Sequence, residues 1–346
     1  MKKIIWGVII GIWSLSLAGY HASAATMDFS VVANIPENQI NKKLTYFDLL
    51  MQANQKQEIS LTLTNTSDQQ IEVMVEPNVA TTNSNGVIDY TQNKQKKDSS
   101  MIYDFTEIIS EKQIVKLEPQ ERKDVTFTIE MPEQEFDGII LGGFHIYQVE
   151  REDHIQTSQI ENKYAYIIGV KLSETDKEVK PNLVLNDIQA TLVNYRTAIT
   201  INLQNTEMIN MSGLTVETKI TKEGHEEVLY QQTKEGMSLA PNSNFYLPIS
   251  LNNKPIEPGH YHLYLSATDG DQTWELDKTF EIEGDQAKDL NKEAIELDKD
   301  YTWLYMLLSG IIPTSLVLLF IRKKEQKEKK QEQNEDTNST LDEKRG

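Results

Sequence analysis

The chain has 346 residues, enough for about two domains, with a net charge of −19 and no cysteine. So acidic a surface argues against a nucleic-acid partner, because the phosphates would repel it. The absence of cysteine excludes a disulfide framework and, in an exported protein, fits a Gram-positive cell surface.

The first 25 residues have the layout of a secretory signal peptide. Met1-Lys2-Lys3 is a charged start, Ile4 to Leu17 is an apolar run, and Ala22-Ser23-Ala24 offers a cleavage site. A retained N-terminal anchor is the alternative, although the apolar run is short for a membrane span. We therefore predict that residues 1–25 are a signal peptide and that the mature chain is exported.

Residues 26–178 and 179–284 have the two-residue period of β-strands. Apolar and polar residues alternate in stretches such as Ile59 to Leu63 and Tyr261 to Leu265, which places one face of each strand in a core. Turn signals such as Asp269-Gly270-Asp271 separate the strands. The sequence therefore predicts an all-β fold with two tandem immunoglobulin-like β-sandwich domains.

Three sequence features occur twice in the same order: a strand ending in Asn-Thr, a Leu-x-Pro segment, and a strand with aromatic, His, aliphatic and Tyr residues. They are marked by Asn65 and Asn205, by Leu117 and Leu239, and by His145 and His262. Two domains of one general plan explain this order. The first domain carries extra residues between the first two features, around Thr81 to Phe105. Insertions on a sandwich commonly form binding surfaces.

The most distinctive part of this insertion is the stretch "NGVIDY", from Asn85 to Tyr90. Asn-Gly favours a tight hairpin, and a tyrosine on an exposed hairpin can stack on a sugar while its polar neighbours bind hydroxyls. We therefore predict Asn85, Gly86, Asp89 and Tyr90 as ligand-binding residues. A surface loop that binds no ligand is the alternative.

Motifs for catalysis and metal binding are missing from the sequence. It contains no Gly-x-Ser-x-Gly, no cysteine nucleophile and no His-Glu-x-x-His. His145 and His262 lack the spacing of zinc ligands, and we predict structural roles for both in their strands. We expect no catalytic activity, no metal and no cofactor. A cell-wall-modifying hydrolase and a surface sensor that uses the sandwiches as ligand-binding modules are the alternatives.

The C-terminal part of the sequence predicts a membrane anchor. Tyr301 to Ile321 lacks charged residues, and as a helix it would rise roughly 31 Å, enough to cross a bilayer. Basic residues from Arg322 onward mark the cytoplasmic side. We predict a charged spacer at 285–300, a transmembrane helix at 301–321 and a basic, polar cytoplasmic tail at 322–346. A buried helix of a soluble protein is the alternative. The chain is then a single-pass cell-membrane protein whose N-terminal ectodomain faces the cell wall.

Several stretches resemble the WxL-interacting proteins of Gram-positive bacteria. In the first domain they are "ISLTLTNTSDQQIEVMV", "NSNGVIDY", "MPEQEFDGIILGGFHIY" and "YAYIIGVKL", and in the second "KPNLVLNDIQATLVNYRTAITINLQN" and "PGHYHLYLSATDG". The resemblance implies a non-enzymatic surface protein with a peptidoglycan-binding domain followed by a host-binding domain. It also implies partners among WxL-domain surface proteins and host extracellular proteins. It assigns no individual ligand-contacting residue.

Overall fold

The computed structural model describes residues 27–91, 96–149, 164–297 and 323. The predicted signal peptide, the predicted transmembrane helix and the predicted tail apart from Lys323 lie outside this range. Within it, no helix is both long enough and apolar enough to cross a bilayer.

The first sandwich packs a three-stranded sheet against a five-stranded sheet. Its elements are β1 (Phe29–Asn34), β2 (Phe47–Leu50), β3 (Lys56–Asn65), β4 (Ile71–Val79), β5 (Thr81–Thr82), β6 (Ile88–Asp89), α1 (Phe105–Ile108), β7 (Gln113–Leu117), β8 (Arg122–Glu130), β9 (Ile140–Gln148) and β10 (Ala165–Ser173). The sheets have the orders β1-β3-β8 and β2-β10-β9-β4-β7, with β2 and β10 parallel. β5 and β6 form a separate hairpin.

The second sandwich packs a three-stranded sheet against a four-stranded sheet. Its elements are β11 (Leu183–Val193), β12 (Arg196–Asn205), β13 (Met211–Lys222), β14 (Val228–Leu239), β15 (Ser243–Ser250), β16 (Gly259–Thr268), β17 (Thr273–Ile282) and α2 (Gly284–Glu293). The sheets have the orders β11-β12-β15 and β14-β13-β16-β17. The domain boundary predicted between residues 178 and 179 lies in the linker between β10 and β11.

The apolar residues of the alternating stretches are buried in the structure. Ile59, Leu61 and Leu63 are buried in the first core, and Tyr261 and Leu263 in the second. Because the period of side chains along a strand is two, the residues between them face outward. The prediction of an all-β fold is confirmed.

The repeated Asn-Thr and Leu-x-Pro features meet in space in both sandwiches. Asn65 Nδ2 donates hydrogen bonds to the carbonyl oxygens of Leu117 and Glu118, at 3.2 and 2.9 Å. Asn205 Nδ2 likewise donates to the carbonyl oxygen of Ala240, at 3.0 Å. Both asparagines are fully buried. The repeated features therefore mark the same interaction in both sandwiches. In each, the side-chain amide of an asparagine at the end of one strand donates to the turn between two other strands.

Replacing Asn205 with alanine should lower the free energy of unfolding by about 1–3 kcal/mol, because buried carbonyl groups lose their donor. Asn205 Nδ2 also donates to the carbonyl oxygen of Ile209, at 2.6 Å. The matched control is Asn210→Ala, since Asn210 Nδ2 donates to Ser212 Oγ, at 2.9 Å, at the exposed part of the same turn. Urea unfolding of both variants checks this, and equal destabilisation would contradict the assigned role of Asn205.

The Pro-Gly-x-Tyr stretch at the start of β16 forms a tyrosine corner. Tyr261 Oη donates to the carbonyl oxygen of Glu257 at 2.9 Å. Burial, with smaller contributions from the carboxylate of Glu257 and from Tyr230, raises the pKa of Tyr261 to about 12. This hydroxyl therefore stays protonated and holds the loop that precedes the strand.

Helix α2 packs on the second sandwich. Ala287 is buried in its core and Leu290 contacts the same cluster. Asn291 bonds both backbone groups of Ile256, donating to its oxygen and accepting from its nitrogen, each at 2.8 Å. The predicted charged spacer at 285–300 therefore begins with a helix that packs on the domain through Ala287, Leu290 and Asn291.

Candidate functional site

Two consecutive glycines in β9 accommodate aromatic rings on opposite faces of the sheet. A Cβ atom on Gly142 would lie 2.1 Å from Phe105 Cδ1, on the core side. A Cβ atom on Gly143 would lie 2.8 Å from Tyr90 Cδ1, on the outer side. The insertion therefore places Phe105 in the core and Tyr90 on the surface, and both positions require a strand residue without a side chain.

The outer side of the five-stranded sheet carries a surface that we call the tyrosine face. It consists of Tyr46, Tyr90, Gly143, His145, Tyr147, Ile167 and Gly169. Gly143 and Gly169 are directly opposite each other in the register of β9 and β10. The nearest side chain to Gly169 is that of Tyr46, which a Cβ atom would approach at 3.9 Å. Tyr90 thus covers Gly143, and Tyr46 lies beside Gly169.

Part of this face is open to solvent. Tyr46 is 38% exposed and Ile167 is 40% exposed. Tyr90, His145 and Tyr147 are partly buried, and the rings of His145 and Tyr147 lie 4.7 Å apart. Contiguous exposed aromatic and apolar side chains on a folded domain mark binding surfaces more often than isolated ones do.

Polar groups border the aromatic rings. Glu76 is opposite His145 in the register of β4 and β9, and Lys112 Nζ lies 3.0 Å from Glu76 Oε1. Burial lowers the pKa of His145, outweighing the opposing effect of the nearby carboxylates of Glu76 and Asp89. The imidazole is therefore neutral at pH 7 and presents one donor and one acceptor.

Of the four predicted ligand-binding residues, Tyr90 belongs to the tyrosine face and Asp89 lies near its His145. Asp89 Oδ1 accepts hydrogen bonds from the backbone nitrogen and the hydroxyl of Thr91, at 2.8 and 2.7 Å. The carbonyl oxygen of Tyr90 accepts from Asn78 Nδ2 at 2.8 Å. Burial, with a smaller contribution from Tyr46, raises the pKa of Tyr90, so its hydroxyl is neutral. These bonds fix the chain where it crosses the face.

Of the other two predicted residues, Gly86 lies against the second sandwich. Asn85 is exposed at the hairpin, whereas Gly86 is buried. The carbonyl oxygen of Gly86 accepts from the backbone nitrogen of Ser238 at 2.7 Å, and a Cβ atom on Gly86 would lie 2.4 Å from Met237 Cε. The structure therefore does not bring the four predicted residues together in one site.

Thr82 and Asp98 of the insertion also contact the second sandwich, in a region that we call the junction. Asp98 is buried and accepts hydrogen bonds from Gln204 Nε2, at 2.7 Å, and from Asn244 Nδ2. Thr82 Oγ1 lies 2.8 Å from Ser243 Oγ and accepts from the backbone nitrogen of Ala240 at 3.0 Å. The insertion thus fastens the two sandwiches to each other.

The sequence analysis did not identify Tyr46, Gly143 and Gly169 as parts of a surface. The signal was the glycines themselves, because glycine inside a strand often marks a close approach by another group. His145 and Tyr147 point outward from β9, as alternation predicts. In the second sandwich His262 Nε2 lies 2.8 Å from Asp277 Oδ2.

The second sandwich has a shallow groove of about 200 Å³ on the outer side of its four-stranded sheet, lined in part by Tyr264, Lys219 and Glu275. In the described part of the chain, no three His, Cys, Asp or Glu side chains are arranged to hold a metal ion.

Solved structures with some similarity include bacterial chaperones. A chain from a chaperone–tip adhesin complex of CFA/I fimbriae is 9% identical over 74% of this chain and 98% of its own, with a TM-score of 0.29. The CupB2 chaperone of Pseudomonas aeruginosa is 10% identical over 64% and 92%, with a TM-score of 0.23. The PapD-like domain of human CEP192 is 10% identical over 47% and 97%, with a TM-score of 0.27. Similarities of this size do not define function.

No curated protein matches the chain. Two family models do match, in the same order as the sandwiches. The WxL Interacting Protein peptidoglycan binding domain matches residues 29–148, and the WxL Interacting Protein host binding domain matches residues 155–292. The second match begins before β10, although β10 lies in the sheet of the first sandwich. Because the two models together span most of the sequence, the chain belongs to the WxL-interacting protein family.

Proposed function

We propose that this protein is a non-enzymatic cell-surface binding protein whose first sandwich binds peptidoglycan. Its second sandwich binds proteins, namely WxL-domain surface proteins and host extracellular proteins. The observation that carries the first part is the tyrosine face, which is a partly exposed aromatic surface on the domain matched by the peptidoglycan-binding family model. The match of the host-binding model to residues 155–292 supports the second part.

We also propose that the protein is held in the cell membrane by a single C-terminal helix, with both sandwiches on the wall side. The uncharged stretch from Tyr301 to Ile321 and the basic residues after it support this topology. The secretory layout of residues 1–25 supports export. An immunoglobulin-like strand arrangement in each sandwich belongs to the same proposal, and the tyrosine corner at Tyr261 supports it.

Co-sedimentation of residues 26–297 with insoluble peptidoglycan tests the central claim. Both sandwiches are kept in the protein because the junction joins them. We expect the protein to sediment with peptidoglycan and to stay in solution with cellulose, which is an insoluble glycan without acetamido groups or peptides. Soluble fragments of digested peptidoglycan should compete.

Equal sedimentation with both polymers, or none with peptidoglycan, would refute peptidoglycan binding. High salt serves as a further control, because an acidic protein that binds through rings and neutral polar groups should keep its affinity when ionic contacts are screened.

A further inference from the structure

We propose that the outer edge of β1 binds an extended segment of a partner protein, which adds to the three-stranded sheet of the first sandwich as a fourth strand antiparallel to β1. The segment is uncharged and has an apolar residue at every second position. This binding goes beyond that of peptidoglycan, because the tyrosine face lies on the other sheet of the same sandwich.

The pairing of β1 with β3 leaves alternate main-chain groups of β1 pointing outward. The backbone nitrogen of Thr66 donates to the carbonyl oxygen of Asp28 at 2.8 Å, so Asp28 is at a hydrogen-bonded position of the pair. In an antiparallel pair such positions recur at every second residue. The N–H and C=O groups of Phe29, Val31 and Ala33 therefore point away from β3. We call these groups the free edge.

Almost all of the free edge is available to a further strand. Among the described residues, one side chain bonds to it, since Tyr166 Oη donates to the carbonyl oxygen of Phe29 at 3.3 Å. A carbonyl oxygen has two lone pairs and can accept a second hydrogen bond. Val31 and Ala33 each offer one donor and one acceptor, which is the pattern that an added strand requires.

β1 lacks the features that usually protect the edge of a sheet. Its sequence, FSVVAN, contains no charged residue and no proline. Its pairing with β3 runs from Phe29 to Asn34 without a shift in register. Natural sheets block their edges with charged residues, prolines, bulges or covering segments. A regular, uncharged edge is therefore open to another strand.

Outer strands elsewhere in the two sandwiches have such protection. Residues 38–40 hydrogen-bond to β2, and residues 109 and 110 to β8. β7 contains Lys116, and the pairing of β14 has three shifts in register. On β17, Lys278 lies opposite the buried Leu263 and donates to the carbonyl oxygen of Asn186. β1 differs from these strands in having no such device.

The side chains of β1 define the chemistry of the segment. Phe29, Val31 and Ala33 belong to the first core or pack against it, so the added strand needs apolar residues on that side. The outer side of β1 carries Val32, which is 61% exposed, between two partly buried polar residues. β3, the neighbour on the other side of β1, has the same alternation of apolar and polar residues.

Charge excludes two other occupants of the free edge. Asp28 and Glu37 are the nearest charged residues along the chain on either side of β1, so an acidic segment would meet like charges. A second copy of this chain would bring two molecules of net charge −19 side by side, and they would repel each other. The occupant is therefore a different, less acidic protein.

Hydrogen exchange of residues 26–297, followed by nuclear magnetic resonance, tests whether the edge is free. We expect the amides of Val31 and Ala33 to exchange about tenfold faster or more than those of Ser30 and Val32, which pair with β3. Equal protection of all four amides would show that the edge is already covered, and the proposal would be wrong.

A peptide probe tests whether the edge accepts a strand. The peptide ISLTLTN, with blocked ends, has the sequence of residues 59–65 of β3, which lie beside β1. It has the required alternation and no charge. The control peptide, ILLSTTN, has the same composition without the alternation. We expect the first peptide to shift the amide signals of Val31 and Ala33 and to slow their exchange. No shift, or the same shift with the control peptide, would overturn the proposal.

Two proline variants test the location. Val31→Pro removes an N–H of the free edge without removing a bond to β3, and edge strands tolerate proline at such positions. It should weaken binding of the peptide by about tenfold. Ile114→Pro is the matched control, because Ile114 is 59% exposed on β7 and, by the same alternation, its N–H points away from β4. This variant should bind the peptide like the unmodified protein.

Circular dichroism shows whether the variants are folded, and Ala33→Pro makes the same test if Val31→Pro is not. A folded variant of the free edge that binds the peptide unchanged would overturn the proposal. A dimer of the unmodified protein in analytical ultracentrifugation that Val31→Pro abolishes would show that the occupant is a second copy, which also contradicts it. Sedimentation of Val31→Pro with peptidoglycan should persist, so the proposed function can stand or fall separately.

Discussion

Replacing Gly142 with alanine is expected to destabilise the first sandwich by about 3 kcal/mol or more, which is the upper range for overpacking a core. The added Cβ atom would lie 2.1 Å from Cδ1 and 2.2 Å from Cγ of Phe105. Phe105 has no exposed surface and belongs to the first core. The ring therefore cannot move aside without displacing its neighbours.

Gly169→Ala is the matched control on the adjacent strand. A Cβ atom there would meet Tyr46 at 3.9 Å, an ordinary van der Waals distance. Its effect on stability should be within about 1 kcal/mol, because alanine also loses less conformational entropy than glycine on folding. Urea unfolding followed by circular dichroism measures the free energy of unfolding of both variants.

A second substitution separates a clash from a backbone effect. Phe105→Leu shortens the side chain that Gly142 accommodates, so Gly142→Ala should cost less in the Phe105→Leu background than alone. A double-mutant cycle gives this coupling energy. Strict additivity would show that Gly142 is needed for its backbone and not for the ring.

The sequence was sufficient to predict the strands and their buried faces, because alternation is a local property. His145 and His262 both lie in strands, as the same local patterns predicted. The Asn-Thr and Leu-x-Pro features also predicted that the two domains share one plan. The structure shows why the features recur, because Asn65 and Asn205 each donate a hydrogen bond to the Leu-x-Pro segment of the same sandwich.

The contacts of the insertion could not be predicted in the same way. Asp98 and Gln204 are separated by 106 positions, and no local pattern marks one as the partner of the other. Exposed polar residues are also expected in a loop, so the composition of the insertion did not distinguish a solvated hairpin from one packed against another domain. The packing of helix α2 on the second sandwich was not predicted, because its few apolar residues are separated by many charged ones.

Asp98→Ala is expected to loosen the junction between the sandwiches, at a cost of about 3 kcal/mol. The substitution would leave the buried amide groups of Gln204 and Asn244 without their common acceptor. Asn242 Nδ2 still donates to the carbonyl oxygen of Ser100 at 3.0 Å, so part of the junction would remain. We expect two separate melting transitions, and faster proteolysis in the linker around residues 174–182.

Asp104→Ala is a close control within the same insertion. Asp98 Oδ1 accepts from the backbone nitrogen and hydroxyl of Ser100, and Asp104 Oδ1 accepts from the same two groups of Thr106. The two aspartates therefore make the same local turn, and the structure gives only Asp98 hydrogen bonds from the second sandwich among its described contacts. If both variants melt in one transition, the junction does not depend on Asp98.

The dependence of the junction on pH gives an independent test. Burial tends to raise the pKa of Asp98, but hydrogen bonds from Asn244, Ser100 and Gln204 together hold it below its usual value. A carboxylate with a lowered pKa in the folded state contributes stability above its unfolded pKa of about 4 and loses it as the pH falls through the folded value. The stability of the junction should therefore be constant from pH 8 to about pH 5 and should fall below about pH 4. We expect small-angle scattering of the unmodified protein to show an acid-induced separation of the sandwiches. This separation should be smaller in Asp98→Ala, which lacks the titrating carboxylate. An unchanged acid response in the variant would locate the titrating group elsewhere.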